Sequence, residues 1–336
     1  MTYQITVQPG GQQFSAEGDE TLLDAALRQG FTLPYGCKDG ACGACRGKIV
    51  SGTVDHGKSL ESALSPAERA DGMALYCCAR ACSDLVIEAR QITSSKDFPV
   101  KTLPARIEKM ERAAPDVMIL WLKLPASEKF EFHAGQYLDI LLKDGKKRSF
   151  SMAHAPASGN LVELHIRLVP GGQFTEQVFN TLKVRDILRF SGPIGSFHLH
   201  QDSAKPVILL AGGTGFAPIK SIVEQAIATG STRPLHIYWG ARTPNDLYLP
   251  ELGPAWAAAH PHIQYTPVLS EADDAWSGRC GLVHAALIAD YPDLSGHQVY
   301  ACGSPAMIDA ARLDLTTQCG LPAEEFFADA FTFATA

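Results

Sequence analysis

The hydrophobic pattern changes character twice along the chain. At the start, Tyr3, Ile5 and Val7 alternate with polar neighbours, and with Gln13 and Phe14 they predict an opening hairpin. Leu22, Leu23, Ala25, Ala26 and Leu27 fall at helical spacing, with Thr21 as N-cap, Asp24 in a capping-box position and Gly30 as the stop. Lys48-Ile49-Val50 and Asp84-Leu85-Val86-Ile87 predict further strands, and the polar stretch 93–99 reads as a linker. From about 102 to 200 the pattern becomes short β-runs at 117–124, 136–142, 162–168 and 187–190, split by the turn signals Asp144-Gly145, Pro170-Gly171-Gly172 and Gly192-Pro193. Their even spacing predicts a small antiparallel barrel. Beyond Lys205-Pro206, apolar runs and helical segments alternate (207–211, 219–228, 235–239, 283–289, 299–302, 306–315), which predicts a parallel α/β sheet covered on both faces.

Length and charge refine this. The 336 residues suggest two or three domains, and the pattern divides them as 1–92, 102–203 and 204–336. The net charge of −7 is spread without a block of like sign, which excludes an electrostatic nucleic-acid binder. Hydrophobic residues at 46% supply packed cores, yet no apolar stretch approaches the roughly 18 residues of a membrane span. The N-terminus has no basic-then-apolar leader, so a cytoplasmic location and a monomer are expected.

The nine cysteines are unexpected in a reducing compartment, where disulfides are disfavoured, and six of them lie between positions 37 and 82. Cys37, Cys42 and Cys45 stand at C-x4-C-x2-C among Gly36, Gly40 and Gly43. Three thiolates from one glycine-rich loop and a fourth from a distant segment are what a [2Fe–2S] cluster requires. Glycines let such a loop turn tightly and aim N–H groups at sulfur. Zinc loops favour C-x2-C pairs, and no second pair is suitably placed. Spacing leaves Cys77, Cys78 and Cys82 open as the fourth ligand. The stretch Leu75-Tyr76-Cys77-Cys78-Ala79-Arg80 resembles the plant-type ferredoxin family. That resemblance implies a β-grasp α+β domain with Cys37, Cys42, Cys45 and Cys77 as ligands, although Cys78 stands where the family commonly has Gln.

Two further constellations carry chemistry. Arg148-Ser149-Phe150-Ser151 offers a guanidinium fork and an aromatic ring, and His165-Ile166-Arg167 leads to Pro170-Gly171-Gly172-Gln173-Phe174-Thr175, a glycine turn entering a helix. Together they resemble the ferredoxin–NADP reductase family. By that resemblance Arg148 holds FAD phosphates, Phe150 packs on the isoalloxazine and Ser151 hydrogen-bonds near flavin N5. Ser149, His165, Ile166, Arg167, Gly172, Gln173 and Thr175 complete the FAD contacts. Phe150 replaces the usual Tyr, which keeps stacking and loses a hydroxyl.

The apolar run 207–211 enters Gly212-Gly213-Thr214-Gly215, then a helix with Pro218 in its first turn, a strand–glycine loop–helix unit suited to a phosphate. Arg242 and Cys302-Gly303-Ser304-Pro305 lie at other strand ends, where open α/β sheets bind ligands. The reductase resemblance places Cys302 and Gly303 beside the nicotinamide and Phe331 of the tail Asp329-Ala330-Phe331-Thr332-Phe333 over the flavin. Ser151, Cys302 and Phe331 are thus the residues nearest the chemistry. Arg242 suits either a 2′-phosphate or adenine stacking, leaving NADH or NADPH open, with NADH preferred.

The order of cofactor segments resembles single-chain reductases with an N-terminal ferredoxin domain. These include the reductase components of Rieske dioxygenases and multicomponent monooxygenases, and the CDP-6-deoxy-3,4-glucoseen reductases of deoxysugar synthesis. The resemblance implies hydride transfer from NAD(P)H to FAD and single-electron delivery through the cluster to a separate oxygenase or dehydrase. A free-flavin or quinone reductase and a non-enzymatic redox sensor or electron carrier are the alternatives. Lys38, Arg46 and Lys48 outnumber Asp39 near the cluster segment, which predicts an acidic acceptor surface.

Overall fold

The computed structural model describes residues 1–89, 92–94, 98–156 and 159–332. The chain forms two compact units. The first is Met1–Pro99 with Gly195–Phe197 and the tail from Ala328; the second holds Val100–Ile194 and His198–Phe327.

In the first unit β1 (Thr2–Gln8) and β2 (Gln13–Glu17) make the expected hairpin. Helix α1 (Leu22–Arg28) follows, with the Thr21 hydroxyl capping the Asp24 N–H and Gly30 at φ +86° beyond its end. β3 (Arg46–Ser51), α2 (Pro66–Ala70), β4 (Met73–Leu75) and β5 (Leu85–Glu88) complete a mixed sheet in the order β2-β1-β5-β3-β4. Alternation explains the sheet: Ile5, Val7, Leu85 and Ile87 are buried on one face against Leu22, Leu23, Ala25 and Ala26 of α1. Of the expected linker, Thr93–Ser94 is a strand paired with Phe31–Thr32, and 95–97 lie outside the described residues.

The second unit begins with β6 (Lys101–Ala114), a strand the hydropathy pattern missed. Its sequence is crowded with Lys, Arg and Glu, and its buried residues are Leu103, Ala105, Ile107 and, at its end, Ala114. Pro104 lies in the stretch where β6 pairs on one side only, so its missing N–H breaks no second ladder. β7 (Val117–Lys123), β8 (Tyr137–Leu141), β9 (Lys147–Ser151), β10 (Leu161–Arg167), helix α3 (Gln173–Asn180) and β11 (Ile187–Ile194) follow. The strands run antiparallel in the order β9-β8-β11-β6-β7-β10, and a bridge between Met152 and Leu164 joins the edges. This is the predicted barrel, filled by Leu120, Leu122, Leu138, Ile140, Leu164 and Phe190 among others.

The same unit continues with β12 (Val207–Gly212), α4 (Phe216–Ala228), β13 (Leu235–Ala241), α5 (Leu252–Ala259), β14 (Ile263–Leu269), β15 (Arg279–Cys280), α6 (Val283–Asp290), β16 (Gln298–Gly303), α7 (Pro305–Gln318) and the first two residues of β17 (Phe326–Ala330), whose last three belong to the first unit. The sheet order is β15-β14-β13-β12-β16-β17, with parallel pairing from β15 through β16. β12 is apolar and β16 is apolar from Val299 on, and both are buried but for the half-buried Gly212, as strands covered on both faces must be. Among the described residues no helix is long and apolar enough to cross a membrane.

Candidate functional site

The four cysteines expected as ligands converge in the first unit. Cys42, Cys45 and Cys77 are buried and Cys37 is half-buried. The sulfurs form two pairs: Cys45 Sγ lies 3.1 Å from Cys77 Sγ, and Cys37 is hydrogen-bonded to Cys42. Backbone amides are aimed at them, the Cys37 N–H at Cys42 Sγ and the Asp39 N–H at Cys37 Sγ, both at 3.4 Å. The pKa of Cys37 is lowered to about 6, chiefly by its bond with Cys42 and further by amides, while that of Cys77 is raised to about 12, chiefly by Cys45. Four sulfurs in two pairs, supplied by one loop and one distant segment and met by N–H donors, fit a two-iron cluster with two thiolates per iron.

The loop geometry explains the glycines. Gly40 sits at φ +71°, and a Cβ there would stand 2.6 Å from Cys78 Sγ. Cys78 lies 3.7 Å from Cys77 and faces this glycine, whereas Cys77 is the residue beside Cys45. Cys82 is exposed. On the other flank, Tyr76 is buried with its hydroxyl donating to Glu88 O at 2.7 Å, and the first amides of α1 bond the carbonyls of Tyr76 and Ala79, fixing the segment that carries Cys77. Tyr35, two residues before Cys37, is tied to Gly195 and Ser196, and Gly36 packs against Cys42 Sγ and Asp329 Oδ1 of the tail. Asp329 is fully buried, and burial, with the Cys37 charge, raises its carboxyl to about 7. Phe331, expected over a flavin, belongs to this same tail segment of the first unit, and Phe333 lies outside the described residues.

One expectation about this face changes. Arg46 is not a free cation: it pairs with Glu68 at 2.9 Å and donates to the Ala63 carbonyl. Only Lys38 and Lys48 remain as exposed cations of the three, so the sequence count overstates the positive charge.

In the second unit, β9 presents the Arg148-Ser149-Phe150-Ser151 motif. Ser151 is buried and its hydroxyl has no hydrogen-bond partner among the described residues, an orphan donor that an acceptor on a bound ring would satisfy. Phe150 is half-buried, its ring 5.4 Å from that of Phe174. Arg148 is half-buried and donates to its neighbour Lys147 O at 2.8 Å. The turn into α3 has Gly171 at φ +75°, and the helix begins at Gly172 without a side-chain cap, leaving its first amides for an anion. These residues fit FAD.

Several expected contacts are engaged elsewhere. Ser149 Oγ donates to Asp139 at 2.7 Å, the Gln173 side chain bonds Asp144, and the Thr175 hydroxyl is used inside its own loop on Val169 and Gly172. His165 is buried with both ring nitrogens committed, to Glu163 and Tyr248, each at 2.8 Å, and burial holds its pKa below the usual range. Ile166 is in the barrel core. At these last two positions only the backbone is available to a cofactor. The Arg167 guanidinium lies beside the other loop: a Cβ on Gly213 would meet its Nη1 at 2.8 Å.

That loop, 212–215, is held between β12 and α4. Gly213 takes φ +54°, and its carbonyl accepts the Trp239 indole N–H at 2.9 Å. Trp239 stacks on Phe216 with ring centroids 3.8 Å apart. A Cβ on Gly215 would stand 2.1 Å from Cys302 O and one on Gly212 would stand 2.6 Å from Met307 Sδ, so the strand ends of β12 and β16 interlock. Thr214, Pro218 and Cys302 are buried, and Gly303 packs against Gly212. Arg242 is largely exposed, 3.9 Å from Asp246. Burial alone would raise the Asp246 carboxyl, but the Thr243 N–H and hydroxyl, with Arg242 and Arg167, hold it below its usual value. This glycine loop, set against a parallel sheet with the Arg167 guanidinium beside Gly213, fits a nicotinamide dinucleotide.

A paired-thiolate loop, a barrel with a half-buried aromatic beside an unsatisfied hydroxyl, and a dinucleotide loop define an iron–sulfur flavoprotein oxidoreductase. Models of a 2Fe-2S iron-sulfur cluster binding domain, an oxidoreductase FAD-binding domain and an oxidoreductase NAD-binding domain match residues 5–82, 104–199 and 209–313. The chain is 41% identical over 331 residues to the CDP-6-deoxy-L-threo-D-glycero-4-hexulose-3-dehydrase reductase of Yersinia pseudotuberculosis, covering 98% of this chain and 99% of that one. It is 39% identical to the phenol 2-monooxygenase reductase component DmpP of Pseudomonas sp. strain CF600, covering 93% and 89%. The crystal structure of the Amycolatopsis cytochrome P450 reductase GcoB superposes with a TM-score of 0.78 at 34% identity, covering 99% of this chain and 100% of that one. The chain belongs to this family of reductases, which carry a ferredoxin domain ahead of FAD- and NAD-binding domains.

Sequence reasoning missed Tyr248, Glu163 and Lys220 as parts of the site. Lys220 left no local signal, since Glu224 four residues on makes it read as half of an exposed helical ion pair.

Proposed function

We propose that this chain oxidises NADH and passes single electrons to a separate oxygenase or dehydrase, as the names of its relatives suggest for them. The observation that carries the reading is the presence in one chain of paired thiols in a cluster loop, an orphan Ser151 hydroxyl and an interlocked dinucleotide loop. Bound flavin supplies the conversion between a two-electron hydride and one-electron transfer. In this assignment the protein divides at 1–92, 102–203 and 204–336. Cys37, Cys42, Cys45 and Cys77 hold the cluster. Arg148, Phe150, Ser151 and the amides at the start of α3 hold FAD, and Gly212–Gly215 with Gly303 cradles the nucleotide. Cys302 lies on the nicotinamide side and Phe331 on the flavin. Arg242, exposed and half-compensated by Asp246, suits adenine stacking better than a 2′-phosphate, which supports NADH. All nine cysteines are free, in keeping with a reducing cytoplasm, where the protein acts as a monomer.

The test is an anaerobic titration with NADH and then NADPH, followed by absorbance, with light scattering for the mass. Bleaching of flavin and cluster bands by NADH at the lower concentration is expected, and bleaching of neither refutes the reading. A free-flavin reductase would instead keep full activity as Cys77→Ser.

A further inference from the structure

α4 begins where the nucleotide loop ends, and its fifth residue, Lys220, is only 7% exposed. The Lys220 ammonium has three partners: it donates to Ala153 O at 2.8 Å and meets Glu163 at 3.2 Å and Glu224 at 2.8 Å. The adjacent Ser221 hydroxyl donates to His154 O at 2.6 Å. Ala153 and His154 lie two and three residues beyond Ser151, so this helix is pinned to the chain that carries the flavin motif. Glu163, on β10, continues the network through His165 Nε2 at 2.8 Å, and His165 Nδ1 reaches the hydroxyl of Tyr248 at 2.8 Å. Tyr248 packs edge-on against Trp239, the residue that holds Gly213 O.

We propose that this buried network, centred on Lys220 and Glu163, sets the distance between the 212–215 loop and strand β9, making Lys220 and Glu163 positioning residues for hydride transfer. The inference rests on the function proposed above. A buried ion pair is no general route to stability, since apolar side chains of the same volume often serve as well. What it supplies is direction. Apolar surfaces can slide, whereas an ammonium with three fixed acceptors cannot move without losing one. Hydride transfer demands such fixity, because reacting atoms must stand about 3–3.5 Å apart and a misplacement of about 1 Å can cost about 100-fold. The ends of the network fall on both sides of the reaction: Ala153 and Glu163 on the flavin barrel, α4 and Tyr248 beside the nucleotide loop.

The experiment compares wild-type holoenzyme with K220M, K220R and E163Q. Anaerobic stopped-flow with NADH separates the limiting rate of flavin bleaching from nucleotide affinity, and hydrogen exchange is read over 147–167 and 213–228. K220M is expected to retain its flavin and cluster and bind NADH within about threefold of wild type, while its limiting rate falls about 10- to 100-fold. Exchange should quicken in both segments, and K220R should recover part of the rate. A wild-type limiting rate in K220M, or a loss explained by weaker NADH binding or lower flavin content, overturns the proposal. Should K220M fail to fold, E163Q is judged by the same criteria. If NADH does not bleach the wild-type flavin, the proposed function itself fails, and unchanged exchange in the variants would then dispose of the network separately.

Discussion

Replacing Ser196 by alanine tests whether the cluster loop depends on a residue more than a hundred positions beyond it. The Ser196 hydroxyl accepts the Tyr35 N–H at 2.8 Å and donates to the Tyr35 carbonyl at 3.0 Å, and Tyr35 is two residues from Cys37. Each bond contributes about 0.5–1.5 kcal/mol net, so Ser196→Ala should loosen this shoulder by about 1–3 kcal/mol. The bond from Ser196 N–H to Tyr35 O, at 3.2 Å, remains. With each 1.4 kcal/mol worth a factor of ten, the loop opens about 5- to 150-fold more often. Tyr35→Phe removes only the hydroxyl that accepts the Gly195 N–H at 3.0 Å, so about 1 kcal/mol and a smaller increase are expected. Iron release to a chelator, measured well below the urea midpoint, reports opening of the loop rather than of the whole unit. The expected order is Ser196→Ala fastest, then Tyr35→Phe, then wild type. Equal release from Ser196→Ala and wild type would refute the reasoning.

Three further predictions follow from the site. Gly215→Ala places a methyl 2.1 Å from Cys302 O, a backbone atom that cannot swing aside, so calorimetry should show NAD⁺ affinity falling at least about tenfold and stability falling by about 1–3 kcal/mol; unchanged binding would remove the interlock argument. Cys77→Ser should lose the cluster absorbance while NADH still bleaches the flavin, and Cys78→Ser should keep both; the opposite pattern assigns the fourth ligand to Cys78. Burial holds His154 neutral, with its pKa lowered from 6.5 to about 4, so its stabilising contribution is complete above pH 6.5 and is lost as pH falls toward 4. From pH 7 to pH 5 that one group should cost about 2 kcal/mol in urea titrations, and a pH-independent midpoint over that range would contradict its burial as a neutral base.

The elements easiest to read were those whose hydrophobic period is strong and local. β12 and the stretch of β16 from Val299 are continuous apolar runs, and α1 carries both its cap and its glycine stop within ten residues of sequence. The strand β6 escaped because its outward positions hold long charged residues and its buried ones, Leu103, Ala105, Ile107 and Ala114, are spaced and include two small alanines. Among the site residues, the cysteine spacing was informative because a loop that wraps a cluster fixes its own geometry locally. His165, Ile166, Thr175 and Arg167 were less well served. Their types suit a ligand, but which way they point depends on Glu163, Tyr248, Val169 and Gly213, two of which (Tyr248 and Gly213) come from distant parts of the chain.

The structure uses two different devices where backbones must come close to one another or to a ligand, and they leave unequal traces in a sequence. At Gly40, Gly212 and Gly215 the device is the absence of a Cβ, and the near neighbours (Cys78 Sγ, Met307 Sδ, Cys302 O) leave no space for one. A glycine is visible in the sequence, and grouped glycines beside cysteines or after an apolar run point to a site even before its partners are known. At Tyr35–Ser196 and at Lys220–Glu163 the device is a polar group that binds two or three fixed partners far away in the chain. Such groups have no local signature, since Ser196 follows an ordinary turn and Lys220 reads as the solvated edge of a helix until its burial is known. The chemistry of this reductase is therefore written in its glycines and cysteines. Its geometry depends equally on buried hydrogen bonds whose ends meet only when the chain has folded.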